Sequence, residues 1–255
     1  MSRVSGPARA AMMAIAGMLV MACAGRSVSP RVAGGTEVVR IERAYINSYL
    51  LIADRVVVVD TGVPGSAKRV LRALRRRGLS PQDVALIVLT HAHADHAGAA
   101  AELRARTGAA IVAGAGDEAM TTRGHNDAMK PSARLGRAVR PFIGKDYPRF
   151  TPDLLLTQPL DLHPFGVPGR VLPMPGHTPG SLAVVLDDGQ AVAGDLVRGR
   201  LLAPRRPVLH FFHDDPTRAH GQLAALLDEH GVLRLHPGHG HALTAAALRA
   251  FLAGR

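Results

Sequence analysis

Six consecutive residues, His91-Ala92-His93-Ala94-Asp95-His96, constrain what this chain can fold into more than any other stretch. Four metal-competent side chains follow the apolar run Val84-Ala85-Leu86-Ile87-Val88-Leu89, whose branched residues predict a buried strand. The next periodic segment, Gly98 to Arg106, predicts a helix. The motif therefore belongs on a strand-to-helix loop, where α/β proteins commonly carry their chemistry. Side chains alternate in an extended loop, so His91 and His93 project to one side while Asp95 and His96 turn away at the helix start. The two pairs can then serve two different ions. Neutral imidazole and carboxylate are zinc's usual non-sulfur ligands. Thirteen histidines make isolated pairs common by chance, but four ligands at this spacing behind a strand are not.

Three later segments add donors. Pro175-Gly176-His177-Thr178-Pro179-Gly180-Ser181 sets a histidine in a turn stiffened by prolines and glycines. Ala193-Gly194-Asp195 ends a short apolar run, which puts Asp195 at a strand's carboxyl end. His236-Pro237-Gly238-His239-Gly240 follows the apolar Val232-Leu233-Arg234-Leu235 in the same way. With Asp60 in Val59-Asp60-Thr61-Gly62, these motifs stand in the order of a known family. Over about residues 38–253 the chain resembles a metallo-β-lactamase superfamily hydrolase of the glyoxalase II-like or lactonase-like branch.

The resemblance implies an αββα four-layer sandwich, an α/β fold of two mixed sheets face to face with helices outside. It implies two Zn²⁺ per chain, one held by His91, His93 and His177, the other by Asp95, His96 and His239, with Asp195 bridging. His236 and His241 rival His239 for the last position. The chemistry agrees, because three histidines leave zinc one open position, as in catalytic sites. Asp60 is expected to orient a ligand imidazole, or else to cap a turn at its strand end. The implied activity is zinc-dependent hydrolysis of an ester, thioester, lactone or similar acyl bond by a metal-bridging hydroxide, with Asp95 and Asp195 as catalytic carboxylates. Alternatives are a β-lactamase, an iron-dependent sulfur dioxygenase, and a non-catalytic zinc-binding envelope protein. The true β-lactamases generally lack the bridging aspartate that Asp195 matches. Glyoxalase II itself is disfavoured, since the short stretch after His239 leaves no room for its glutathione-binding extension.

The segment 121–152, with Pro131, Pro141, Pro148 and Pro152, is the least regular part and is either a lid or pocket wall, or a plain surface excursion. As a lid it would offer Phe142 and Tyr147 to a substrate. Arg198 and Arg200, just beyond Asp195, are either anion contacts or solvated charges. A formal charge of +11 invites a nucleic-acid partner. Arginine outnumbers lysine 28 to 3, a pattern of GC-rich coding, and no basic-aromatic stacking platform appears. A small-molecule substrate is expected instead.

Arg3 and Arg9 precede the apolar run Ala10 to Ala22, which suits a secretory signal and is short of a membrane span. Val20-Met21-Ala22-Cys23 resembles a lipobox, making Cys23 a lipidated first residue, whereas Ala22-Cys23-Ala24 fits ordinary signal cleavage. Either implies export to the bacterial periplasm or cell envelope, with a membrane anchor if Cys23 is acylated. Residues 1–23 are thus the leader, 24–37 a linker and 38–255 the catalytic domain. The roughly 230 residues beyond the leader suffice for one large α/β domain.

Overall fold

The computed structural model describes residues 35–254. Cys23 and the expected leader lie outside the described residues. The first sheet runs β1 (Glu37–Arg43), β2 (Ile46–Ile52), β3 (Val56–Val59), β4 (Val84–Val88), β5 (Ala110–Gly114) and β6 (Leu154–Leu156) in sequence order. Its first three strands pair antiparallel and the rest parallel. The second sheet is built from β7 (Leu160–Asp161), β8 (Gly169–Pro173), β9 (Leu182–Leu186), β10 (Gln190–Val192), β13 (Arg234–His236) and β14 (Leu243–Thr244). A separate ribbon joins β11 (Arg198–Arg200) and β12 (Ala203–Val208).

Why the sheets stack is legible in side-chain alternation. Tyr49 and Leu51 of β2, with Val57 and Val59 of β3, face Val171, Leu182 and Val184 in the layer between the sheets. Their neighbours Leu50, Ile52, Val56 and Val58 face the other way, onto helices α1 (Ala67–Arg76), α2 (Ala94–Ala97) and α3 (Ala100–Thr107). Inner strands buried on both faces read as unbroken apolar runs, as β3 and β4 do. After α4 (Glu118–Arg123) and α5 (Arg134–Val139), helices α6 (Pro216–Asp228) and α7 (Ala245–Ala253) cover the second sheet through Leu223, Leu226 and Leu248. The result is the four-layer αββα sandwich.

Local departures have physical reasons. The helix expected from Gly98 to Arg106 starts at Ala100 as α3, and a separate short helix, α2, precedes it because the metal motif itself turns helical at Ala94. Ser66 precedes α1, yet its hydroxyl makes no cap and accepts from Arg43 Nη1 at 2.9 Å instead. The closing helix α7 starts only at Ala245, since Leu243 and Thr244 pair with β13 and the Thr244 hydroxyl then caps it.

Candidate metal centre

The carboxyl ends of β3, β4 and β10, the turn between β8 and β9, and the loop after β13 meet at one edge of the sandwich. There they bring together His91, His93, His96, His177, His239, Asp95 and Asp195. His91, His93 and His177 form one buried group with ligand atoms all within 4.8 Å, and His96, Asp195 and His239 form another. Asp195 lies between them. Its Oδ2 is 3.9 Å from His91 Nε2, 3.7 Å from His177 Nε2, 3.6 Å from His96 Nε2 and 3.3 Å from His239 Nε2. Asp95 Oδ2 lies 3.5 Å from His96 Nε2 and 3.4 Å from His239 Nε2 in the second group, and Asp95 also shares a possible ligand group with His91 and His96.

Outer contacts orient the rings. The Nδ1 atoms of His177 and His239 sit 2.8 and 3.0 Å from the carbonyls of Phe212 and Tyr45, and His96 Nδ1 sits 2.8 Å from Asp60 Oδ2. Each Nδ1 is thereby the proton donor, and each Nε2 points toward Asp195, where it can ligate a cation once it is free of a proton. Asp60 also accepts from the Thr90 amide and hydroxyl, both at 2.7 Å, so it is tied to the motif loop.

Asp117, which sequence reasoning did not single out, pins two motifs to each other. It accepts from the Ala92 amide at 2.9 Å, the Gly180 amide at 2.8 Å and the Thr178 hydroxyl at 2.9 Å. Burial pushes its carboxyl up to about 6 against the pull of those bonds. Asn126 accepts from the Ala94 amide at 2.8 Å and so caps α2. His210 is the other residue missed. It lies 3.2 Å through Nε2 from Asp195 Oδ2, stacks on His239, and joins His177 and Asp195 in a further possible ligand group. No motif flanks it in the sequence, and only the β12–α6 connection carries it to the site.

The charges are mutually dependent. Burial and neighbouring imidazoles hold His91 well below its ordinary value, and burial does the same for His177 and, less strongly, His93. Burial would also lower His96, but Asp195, Asp95 and Asp60 raise it to about 9. Asp195 and Asp95 likewise raise His239 against its burial. Burial would raise Asp195, yet His210, His239 and His96 hold it well below the carboxylate range. Two side-chain atoms at the centre, His91 Nε2 and Asp195 Oδ1, are buried with no hydrogen-bond partner. Imidazole nitrogens packed around a buried carboxylate, two of these atoms being orphaned, are the arrangement cations stabilise.

The expected rivals of His239 fall elsewhere. His236 lies 3.0 Å through Nε2 from Gln190 Oε1, and His241 joins none of the candidate ligand groups. The expected substrate contacts are corrected too. Tyr147 is buried and its hydroxyl donates to the Ala92 carbonyl at 2.7 Å, so it supports the metal loop from behind. Phe142 stands 88% exposed, because the short helical turn that carries it points it into solvent. Arg198 is buried with its guanidinium 3.7 Å above the Phe211 ring and donating to the Gly199 carbonyl, and Arg200 is exposed. None of the four lines the cavity above the centre. The segment 121–152 does line it, through Met129, Leu135, Val139 and Ile143.

The sequence profile of the metallo-beta-lactamase superfamily matches residues 41–239. The chain belongs to that superfamily. Among its curated superfamily relatives, a hydroxyacylglutathione hydrolase of Xanthomonas axonopodis pv. citri is 32% identical over 151 residues, 59% of this chain and 45% of that one. The chain thus matches less than half the length of that relative. A probable metallo-hydrolase of Methanocaldococcus jannaschii is 24% identical over 76% of this chain and 87% of that one. Among solved superfamily structures, a Cronobacter sakazakii metallo-beta-lactamase with a HARLDQ motif superimposes with a TM-score of 0.60. It is 23% identical and covers 85% of this chain and 87% of its own. The MIM-2 metallo-beta-lactamase gives 0.62 at 22% identity, with 94% of each chain covered. At such identities the superfamily structures establish the fold.

Proposed function

We propose that this chain is a dinuclear zinc hydrolase that cleaves an ester, thioester, lactone or similar acyl bond, in the manner of glyoxalase II-like members. The observation that carries the reading is Asp195 Oδ2, which four histidine Nε2 atoms from both groups approach within 3.9 Å. A carboxylate so placed can be shared between two cations. His91, His93 and His177 would hold the first ion; Asp95, His96 and His239 would hold the second; Asp195 would be shared. All are nitrogen or oxygen donors, which suits zinc. Two bound zinc ions supply Lewis acidity and lower the pKa of a water toward neutrality.

The chain's own groups then divide the remaining work. Burial keeps His91, His93 and His177 neutral, the form that ligates. Asp60 fixes the tautomer of His96. Asp95, whose side chain is 26% accessible, borders the cavity and is placed to orient an attacking water. No activated serine or cysteine is needed, and Ser181 is occupied with Thr178. The test is reconstitution of the purified, metal-stripped protein. Zinc is expected to bind at two per chain and restore hydrolysis of acyl esters or thioesters. Full loading by one iron per chain, with oxygen consumption and no acyl hydrolysis, would replace this reading with the dioxygenase.

A further inference from the structure

A cavity of about 590 Å³ opens above the centre, a volume typical of sites that enclose a small organic ligand. His93, Asp95, Asp195, His210 and His239 form its floor. Its walls come from three separate parts of the chain and are nearly all apolar. Ile46 enters from β2 and Val63 from the loop after β3, Leu135 and Ile143 from the 121–152 segment, and Leu201 and Phe211 from the ribbon side. Among the described residues, no lysine or arginine lines it. The arginines of 121–152, such as Arg134, Arg137 and Arg140, are exposed on the outside of the wall. The one acidic wall residue, Asp146, is 2.7 Å from His125.

These walls decide what chemistry fits. A substrate arm bearing a carboxylate would leave water for an apolar surface with no cation to pair it, a placement that strongly disfavours binding. An aliphatic arm gains from the same transfer, in proportion to its buried length. Resting on the hydrolase reading above, we infer that this site takes uncharged substrates whose acyl group is an aliphatic chain longer than butyryl. The wall, and not the metal floor, would then select the substrate. Anionic thioesters of the glutathione type, and β-lactams with their carboxylate, are poor fits to it.

The test uses the zinc-loaded chain and p-nitrophenyl esters that share one leaving group. Full burial of a methylene is worth roughly fourfold in kcat/KM. With partial burial the octanoate ester is expected to exceed the butyrate ester by at least about tenfold, and the hemisuccinate to fall below both. The wall variant Leu135→Arg/Ile143→Arg, at two partly exposed positions, is expected to abolish the octanoate advantage and raise hemisuccinate turnover relative to butyrate. Turnover that is flat or falling with chain length would overturn the acyl-chain site and leave the hydrolase reading standing. Calorimetry with octanoate, butyrate and succinate supplies a readout independent of turnover. Binding that strengthens from butyrate to octanoate, with no ester hydrolysed, would keep the aliphatic site and remove the hydrolase reading.

Discussion

Asp60 sits in the left-handed region at φ +59°, a conformation that non-glycine residues avoid at a cost of about 1–2 kcal/mol. The strain is offset by three contacts of its carboxylate, to the Thr90 amide, the Thr90 hydroxyl and His96 Nδ1. The first two hold the loop and the third aims His96 Nε2 at Asp195. Asp60→Ala removes both functions at once. Stability is expected to fall by about 1–3 kcal/mol, because the buried Thr90 amide loses its acceptor. Zinc affinity at the His96 position should fall about 10–100-fold. Calorimetric zinc titration with thermal unfolding on the same variant separates the two effects. Lost stability with undiminished zinc affinity would make Asp60 a turn cap and nothing more.

At the scale of elements, the hairpin joining β1 to β2 reaches over the metal centre. Its two-residue turn is Ala44-Tyr45, with φ +49° and +72°, in a geometry that ordinarily calls for Asn-Gly or Gly-Gly. No turn signal marks it in the sequence, since neither residue favours positive φ. What holds the turn is the site itself. The Tyr45 carbonyl takes His239 Nδ1, its ring lies over His239 at 5.7 Å, and its hydroxyl donates to the Gly199 carbonyl. Ala44→Gly relieves the strain at an exposed position and is expected to raise stability by about 0.5–1 kcal/mol, while Ala44→Val lowers it. A loss of stability in the glycine variant, read by thermal unfolding, would contradict this view of the turn. The metal motifs are legible in the sequence because each is local, a short run of donors at a strand end. Asp117, Asn126 and His210 are not. Each acts across 25 or more residues of chain, or across the 15 from Asp195 to a connection without regular structure, and nothing beside it in the sequence records its partner. Tyr147 escapes correct assignment for the same reason, as an aromatic in a proline-rich segment whose partner, Ala92, lies 55 residues away.

For the whole molecule, apolar runs such as Val56–Val59 and Val84–Leu89 report strands buried on both faces, whereas the four-layer arrangement is implied by the family resemblance and not by the runs themselves. The wall of the cavity cannot be anticipated, because it is assembled from the hairpin, the 121–152 segment and the ribbon. The expected leader belongs to this scale too. If Cys23 is the acylated residue of a lipobox, Cys23→Ser is expected to move the protein from the membrane fraction to the soluble envelope fraction, because stable anchoring depends on acyl chains. Identical partitioning of variant and parent would point to ordinary signal cleavage. The central claim is that one carboxylate, Asp195, serves two metal ions. Metal content and acyl hydrolysis measured on a single preparation of Asp195→Ala test it most directly. The variant is expected to keep the ion of His91, His93 and His177, lose the other, and drop in turnover by well over the roughly 10–100-fold of an outer contact. Two zinc ions retained with near-parental turnover would remove Asp195 from the centre and contradict that claim.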